Sequence, residues 1–377
     1  METALLDQVR RPALLVDLQK VCANITAMRA KVEHNQVLFR PHFKTHQSAR
    51  IGKIYWEMGV RAITVSSVQM AEYFAAAGWK DILIAFPLNW REMDAVNALA
   101  EKINLAVLVD CMESAQFLAL HAREEIGVWV KIDTGLRRAG IWWEDSRSIE
   151  EVAKKIIASP RLTLKGILTH AGQTYHAECA KTAKEMAFAS KQAMLSAKEY
   201  LRKRGLTNIQ VSIGDTPGCR LLDDFAGVDE IRPGNFVFYD LEQWQLGVCQ
   251  PQEIAVALAC PIVSRNRDRR ELIIYGGAIH FSKETLSVRG QPIFGMVAGK
   301  RNEPFGVLHP DCVLRSTTQE HGVLAMSEEP FAQYQIGDLI QVFPVHSCLA
   351  VQALGEYIEI RSGEHIATMV TKKDGCT

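Results

Sequence analysis

A (β/α)8 barrel followed by a β domain is the fold this sequence predicts, on three observations. Short β-rich runs recur eight times between residues 37 and 233. Segments with helical periodicity separate most of them, the pattern of parallel strands joined by helical crossovers. After Phe238 that pattern fades, and strand-like runs broken by Gly, Pro, Asn and Asp turns take its place. At 377 residues the chain has room for two domains, or for one barrel carrying an extra module.

Taken in order, the eight runs are VLFR (37–40), AITVSS (62–67), DILIAF (81–86), LAVLVD (105–110), VWVKID (128–133), LKGILTHA (164–171), IQVSIG (209–214) and DEIRP (229–233). Helical periodicity fills Val68–Ala77, Arg91–Lys102, Met112–Glu124, Ser146–Ala158 and Ala177–Arg204. Eight such units in about 200 residues favour a closed barrel over an open doubly wound sheet. Beyond them, Ile254–Val263, Glu271–Tyr275, Gly322–Met326, Leu339–Phe343 and Glu356–Arg361 read as strands of a C-terminal antiparallel β domain. A further strand-like run, Ala13–Leu18, precedes the eight and leads into a helical stretch to about Val32; it is expected to pair with the C-terminal module. The expected domains are a barrel over 19–244 and a β domain over 245–377, joined by the N-terminal segment 1–18.

Lys+Arg and Asp+Glu balance at 43 each with pI near 7.2, so no basic field points to nucleic acid or to an anionic membrane. The expected partner is a small molecule. Nine widely spaced cysteines without a CxxC pair read as mostly free thiols of a reducing compartment. The segment METALLDQVRR lacks a secretory core, and no apolar run approaches the roughly 18 residues of a spanning helix. A cytoplasmic, soluble protein is expected.

In a barrel the chemistry sits where the strands end. The first run ends in PHFKTH, the fifth in IDTGLRRAG, the sixth in THAGQTY, the seventh in IGDTPG and the eighth in RPGNF. Loops after the seventh and eighth strands commonly hold a phosphate, and Gly214–Thr216 with Gly234–Asn235 can offer backbone N–H groups and a hydroxyl. Read alone, each is equally an ordinary turn.

Lys44 follows the first run, where a lysine is usually a solvated charge. Its neighbours Arg40, His42 and His46 would oppose an ammonium, and a lysine with a depressed pKa suits Schiff-base chemistry. With a phosphate site at the same barrel mouth, the pair suggests pyridoxal 5′-phosphate. In FPVHSCLAVQAL, a strand over 340–348 would project His346 and Cys348 to one face as ligands of a soft or borderline metal. The plainer reading is a core histidine beside a buried thiol. Two protein ligands also fall short of the three usual at catalytic zinc, so substrate and water would complete the shell.

With these pieces assembled, the sequence resembles the D-serine dehydratase and D-threonine aldolase group of fold-type III pyridoxal-phosphate enzymes, the alanine-racemase-like barrels. The likeness runs over nearly the whole chain: RPALLVDLQKVCANI, RPHFKTH, KIDTGLRRAG, THAGQTY, the TPG of IGDTPG, EIRPGNFVFYD and PVHSC, in the family's order. The resemblance implies that Lys44 holds the cofactor through an imine and acts as the base at the α-carbon of a D-amino acid. It makes Arg138 the partner of the pyridine nitrogen; an arginine there keeps its own proton, so the ring is a poorer electron sink. Gly214, Thr216, Gly234 and Asn235 fall where the family binds the cofactor phosphate, and His346 with Cys348 where it binds the metal. Tyr175 would line the pocket, with His170 and Gln173 as further candidates. One departure is GGAIHFSKE, where relatives often carry an aspartate and a lysine; no role is assigned to Gly276 through His280.

The implied activity is that of a lyase on D-3-hydroxy amino acids, by either of two courses. Loss of the 3-hydroxyl gives a 2-oxo acid and ammonia; breaking Cα–Cβ gives glycine and an aldehyde. In this family a cysteine two after the metal histidine looks like the dehydratase pattern, whereas aldolases tend to carry a carboxylate. Thiolate favours zinc, while a carboxylate suits manganese or magnesium. Cys348 therefore favours a zinc-dependent dehydratase of D-serine or 3-hydroxy-D-aspartate. A racemase needs no metal, and non-catalytic cofactor carriers of this fold lack a C-terminal β domain, so both rank lower. The resemblance also implies a homodimer.

Overall fold

The structure is a computed structural model that describes residues 9–299 and 305–371. Its chain divides into two compact units, one of Thr26–Lys44 and Gly52–Gly234, the other of the residues through Ile25, Thr45–Ile51 and those from Asn235 onward. The chain thus crosses between units immediately after Lys44 and after Gly234.

The first unit is a nearly closed parallel barrel. Its strands are Leu38–Phe39, Ala62–Val65, Asp81–Pro87, Asn104–Val109, Ile126–Asp133, Leu162–Leu168, Gln210–Ile213 and Glu230–Ile231, one for each run read from the sequence. They pair in sequence order, and the last strand pairs with the first. A single parallel bridge, His42 to Thr64, links the first strand's extension to the second strand. Helices Val68–Ala76, Met93–Ala100, Met112–His121, Ser146–Ile157 and Ala180–Lys203 make crossovers, each within a few residues of its periodic segment.

The barrel strands read as nearly continuous apolar runs because both faces are covered. Leu83, Ala106, Leu108, Trp129 and Leu168, from four neighbouring strands, form one buried cluster. Lys131 and Asp133 follow Trp129 at alternate positions of the same strand and so share its face. The interior is therefore apolar at one level and charged towards the strand ends. Near the first strand, Arg40 is buried between Asp81 and Glu230, its Nε 2.5 Å from the Glu230 carboxylate.

In the second unit one sheet runs in the order Glu271–Tyr275, His321–Ala325, Val313–Thr317, Gly295–Val297, Leu339–Pro344, Val256–Asn266, Ala13–Val16, Glu356–Glu359 and His365–Ala367. The long strand Val256–Asn266 turns back to pair with Glu271–Tyr275 as well, joining six strands into a ring. As expected, the N-terminal strand belongs to this module: Leu15 lies opposite Ala257 on one side and Ile358 on the other. The helix that follows it, Leu18–Asn35, starts where Asp17 accepts from the Gln19 and Lys20 N–H groups.

One element differs from expectation. No strand spans 340–348: it stops at Pro344, and a helix, Ser347–Leu354, begins with His346 as its N-cap. His346 and Cys348 therefore sit on a first helical turn and do not alternate along a sheet. The eight described cysteines are free thiols; Cys376 lies outside the described residues.

Candidate active site

In the barrel unit Lys44 stands exposed in the turn after the first strand. That turn is held by its own backbone: the Lys44 N–H donates to His42 Nδ1 at 3.3 Å, and the Phe43 N–H to the Thr64 carbonyl at 2.8 Å. The neighbours do not surround Lys44 with positive charge, as the sequence spacing suggested. Arg40 is compensated by Asp81 and Glu230, His42 is taken up by the turn, and His46 is fully buried, its pKa pushed by burial down to about 3. His46 is a neutral core group whose Nδ1 accepts from the Ser48 N–H.

The charges that gather are others. Burial, then Arg232 and Arg138, push the ammonium of Lys131 down to about 8 against Asp133 and Asp110. His170 is held well below its ordinary value, first by burial and then by the charges of Lys44 and Lys131. It is a neutral imidazole beside cations, and its Nδ1 meets the Gly214 carbonyl, a contact in which the nitrogen donates.

Gly214 opens the turn after the seventh strand. A side chain there would meet Arg232 at 3.0 Å, so glycine lets the backbone lie directly on that guanidinium. Arg232 is buried and donates to Ser212 Oγ at 2.6 Å and to the Thr169 carbonyl at 2.5 Å. Asp215 caps the short helix Thr216–Leu221, accepting from Gly218 N–H at 2.5 Å and Thr174 Oγ at 3.0 Å; burial raises its pKa to about 6. The Thr216 N–H donates to the hydroxyl of Tyr175 at 3.2 Å. An oxygen thus already sits on this backbone amide, and a turn of this kind would fit the cofactor's anionic end. Gln173 Nε2 donates to the Thr134 carbonyl at 3.2 Å while its Oε1 is buried without a hydrogen-bond partner, and Arg138 lies exposed on the loop after the fifth strand.

In the β unit, Gly234 gives way to Asn235, whose amide donates to Asp240 Oδ2 at 2.6 Å and to Ser347 Oγ at 3.1 Å. Asp240, fully buried, also accepts from the Ser347 N–H at 2.9 Å and the Gln243 N–H at 3.2 Å. One carboxylate therefore pins Asn235 to the turn carrying His346 and Cys348.

Around that turn, His346 Nδ1 lies 2.6 Å from Glu284 Oε2, and Cys348 Sγ lies 3.3 Å from Thr45 Oγ1. Burial alone would lower the His346 pKa, but the Cys348 sulfur, Glu284 and Asp240 raise it. Nearby, burial and then Asp240 push Glu242 up. A thiol and an imidazole converge among carboxylates, a donor set that suits a borderline cation. No cluster of three or more His, Cys, Asp or Glu side chains placed to hold an ion occurs among the described residues.

Sequence reading missed Lys131, Arg232, Asp240, Thr45 and Glu284. The first carried a signal, since a lysine interrupts the apolar VWVKID; Arg232, before Pro233 and Gly234, carried a weaker one. Glu284 lies in the departing GGAIHFSKE segment, and only the fold brings it to His346. In the same segment, His280 Nδ1 accepts from the Gly277 N–H at 3.1 Å and closes a turn.

A parallel barrel with a lysine after its first strand and an anion-ready turn after its seventh is the architecture of barrel enzymes that use pyridoxal 5′-phosphate. The chain belongs to the family described as alanine racemase, N-terminal domain, whose model matches residues 16–242. A second model, described as a putative serine dehydratase domain, matches residues 255–360. Among curated proteins, the D-threo-3-hydroxyaspartate dehydratase of Delftia sp. strain HT23 is 29% identical over 89% of this chain and 90% of its own. The D-serine dehydratase of Dictyostelium discoideum is 28% identical over 96% of each chain. A 3-hydroxy-D-aspartate aldolase of Paracoccus denitrificans is 24% identical over 95% and 90%. The solved Delftia dehydratase superposes with a TM-score of 0.89 at 27% identity, covering 96% of this chain and 98% of that one. A cysteine-to-alanine variant of it, solved in a metal-free form, gives 0.90. The chain is a pyridoxal-phosphate lyase of the D-amino-acid dehydratase and aldolase type. No described helix is long and apolar enough to cross a membrane.

Proposed function

We propose that this enzyme is a zinc-dependent dehydratase that converts D-serine or a 3-hydroxy-D-aspartate into a 2-oxo acid and ammonia. The observation that carries the reading is Cys348 beside His346 on one helical turn, its sulfur turned to Thr45, the residue after Lys44. A thiolate–imidazole pair favours zinc over manganese or magnesium. That relatives of similar length are named dehydratases, one of them known in a metal-free form, supports it.

In this reading Lys44 holds the cofactor, and Gly214, Thr216, Gly234 and Asn235 bind its phosphate, with Tyr175 lining the pocket. When bound, pyridoxal phosphate supplies an electron sink for the α-carbon, and the metal held by His346 and Cys348 supplies a Lewis acid for the 3-hydroxyl. Lys44 Nζ takes the α-proton. His170, kept neutral, holds the Gly214 turn and does not compete for that proton. Arg138 would be the guanidinium offered to the pyridine nitrogen, and an arginine there would leave that nitrogen unprotonated. The enzyme acts in the cytoplasm as a homodimer. A retro-aldol course giving glycine and an aldehyde is the second reading, favoured by the aldolase relative.

The test incubates purified protein with each substrate, before and after chelation. Ammonia and 2-oxo acid should appear and chelation should abolish them while cofactor absorbance stays. Aldehyde as the main product overturns the dehydratase reading, and full activity after verified metal removal overturns the metal's part.

A further inference from the structure

Glu284 has no part in the reading above, although its carboxylate lies 2.6 Å from His346 Nδ1. We propose that Glu284 is a positioning residue of the metal site: by accepting the Nδ1 proton of His346 it fixes the tautomer that presents Nε2 to the ion shared with Cys348. The inference rests on the metal-dependent reading of this turn.

Three observations carry it. His346 is the N-cap of Ser347–Leu354, yet its side chain makes no capping hydrogen bond. The imidazole is therefore not spent on the helix: Glu284 meets it at Nδ1, and the Cys348 side chain is its other hydrogen-bond partner. The two ring nitrogens point to opposite sides, so a carboxylate in line with Nδ1 leaves the Nε2 side to a ligand.

Second, Glu284 is aimed by a built turn. Ser282, the residue after helix Ala278–Phe281, takes φ +85°, a conformation rare outside glycine, and its Oγ accepts from the Glu284 N–H at 3.2 Å. Helix Ala278–Phe281 itself packs against Ser347–Leu354, and Glu284 lies three residues after the first while His346 immediately precedes the second.

Third, no cluster of three or more His, Cys, Asp or Glu side chains placed to hold an ion occurs among the described residues, so on the metal-dependent reading few protein ligands are available where three are usual. With so few, the orientation of each governs affinity more strongly. Partners that hold a ligating histidine's far nitrogen raise its basicity and typically change metal affinity by about 10–100-fold.

The experiment measures zinc affinity of purified holoenzyme by competition with a chromophoric chelator, for wild type, Glu284→Gln and Glu284→Asp. Wild type should bind one zinc; Glu284→Gln should bind it about 10–100-fold more weakly, Glu284→Asp should recover part of the loss, and melting temperature and cofactor absorbance should not move. X-ray absorption of the zinc-loaded forms should show the same ligand atoms in wild type and Glu284→Gln. In zinc-loaded wild type, nitrogen NMR should find the His346 proton on Nδ1; this decides the matter even if the variants fold poorly. Unchanged affinity in Glu284→Gln, loss of an oxygen ligand in that variant, or a proton on Nε2 would each overturn the proposal. Wild type that binds no zinc and matches Cys348→Ser would overturn it together with the metal reading, whereas retained zinc with any of the former outcomes leaves that reading standing.

Discussion

Lys44 is exposed on a turn whose backbone bonds do not depend on its side chain. Lys44→Ala should therefore leave the fold intact while abolishing the visible absorbance of the lysine-bound cofactor and lowering turnover by at least about 10²–10⁴-fold; unchanged absorbance would make Lys44 a surface charge. His46, two residues on, behaves oppositely. Burial lowers its pKa to about 3 from an ordinary 6.5, so between those values the unfolded chain binds a proton that the fold refuses. The stabilisation is complete above pH 6.5 and is lost progressively as pH falls towards 3. Urea unfolding at pH 7 and pH 5 should show the loss, and His46→Gln should flatten it; equal slopes would remove His46 from the account. Spacing made PHFKTH legible as a turn closing the first strand, but could not say which of its side chains the fold would bury. Arg40 and His46 go inward and Lys44 outward, which is a matter of long-range partners such as Glu230, far along the chain.

At the scale of elements, Arg40 ties the end of the barrel's first strand to its third and eighth. Its guanidinium bonds Asp81 on the third strand and Glu230 on the eighth, beside a seam of two-residue strands and one bridge. Arg40→Met would leave the buried Glu230 carboxylate to Ser212 Oγ at 2.7 Å and Arg232 at 3.8 Å, and should cost at most about 3–5 kcal/mol by urea unfolding. Adding Glu230→Gln should recover much of that; a single variant as stable as wild type would mean that the pair does not hold the seam. Strand and crossover positions were legible because each apolar run is short and bounded by polar or glycine turns. The turn carrying His346 and Cys348 was not. Leu339–Phe343 alternates plausibly into Val345, and only Pro344 and the later Gly355, which ends the helix at φ +76°, mark the change of period. A fixed period of two was carried four residues too far.

Over the whole molecule, the N-terminal strand Ala13–Val16 is central to the β sheet, between Val256–Asn266 and Glu356–Glu359. Leu15, 1% exposed, is one of its core residues. Leu15→Asp should cost at least about 2–5 kcal/mol, read as a lower urea midpoint or loss from the soluble fraction; a stable variant would mean that this strand is dispensable. The run's pairing with the C-terminal module was foreseeable, since the eight barrel runs already account for one another. Its parallel partner Glu356–Glu359 was not, because nothing local in a four-residue run records register with a segment more than three hundred positions away.

That placement sets an order on biosynthesis. A ribosome that has made Ala13–Val16 must translate past residue 359 before both flanks of this strand exist, so the nascent polypeptide carries an orphaned apolar segment over that whole stretch. Such a segment is a natural client for a holding chaperone, and maturation of this enzyme is expected to be post-translational and slow.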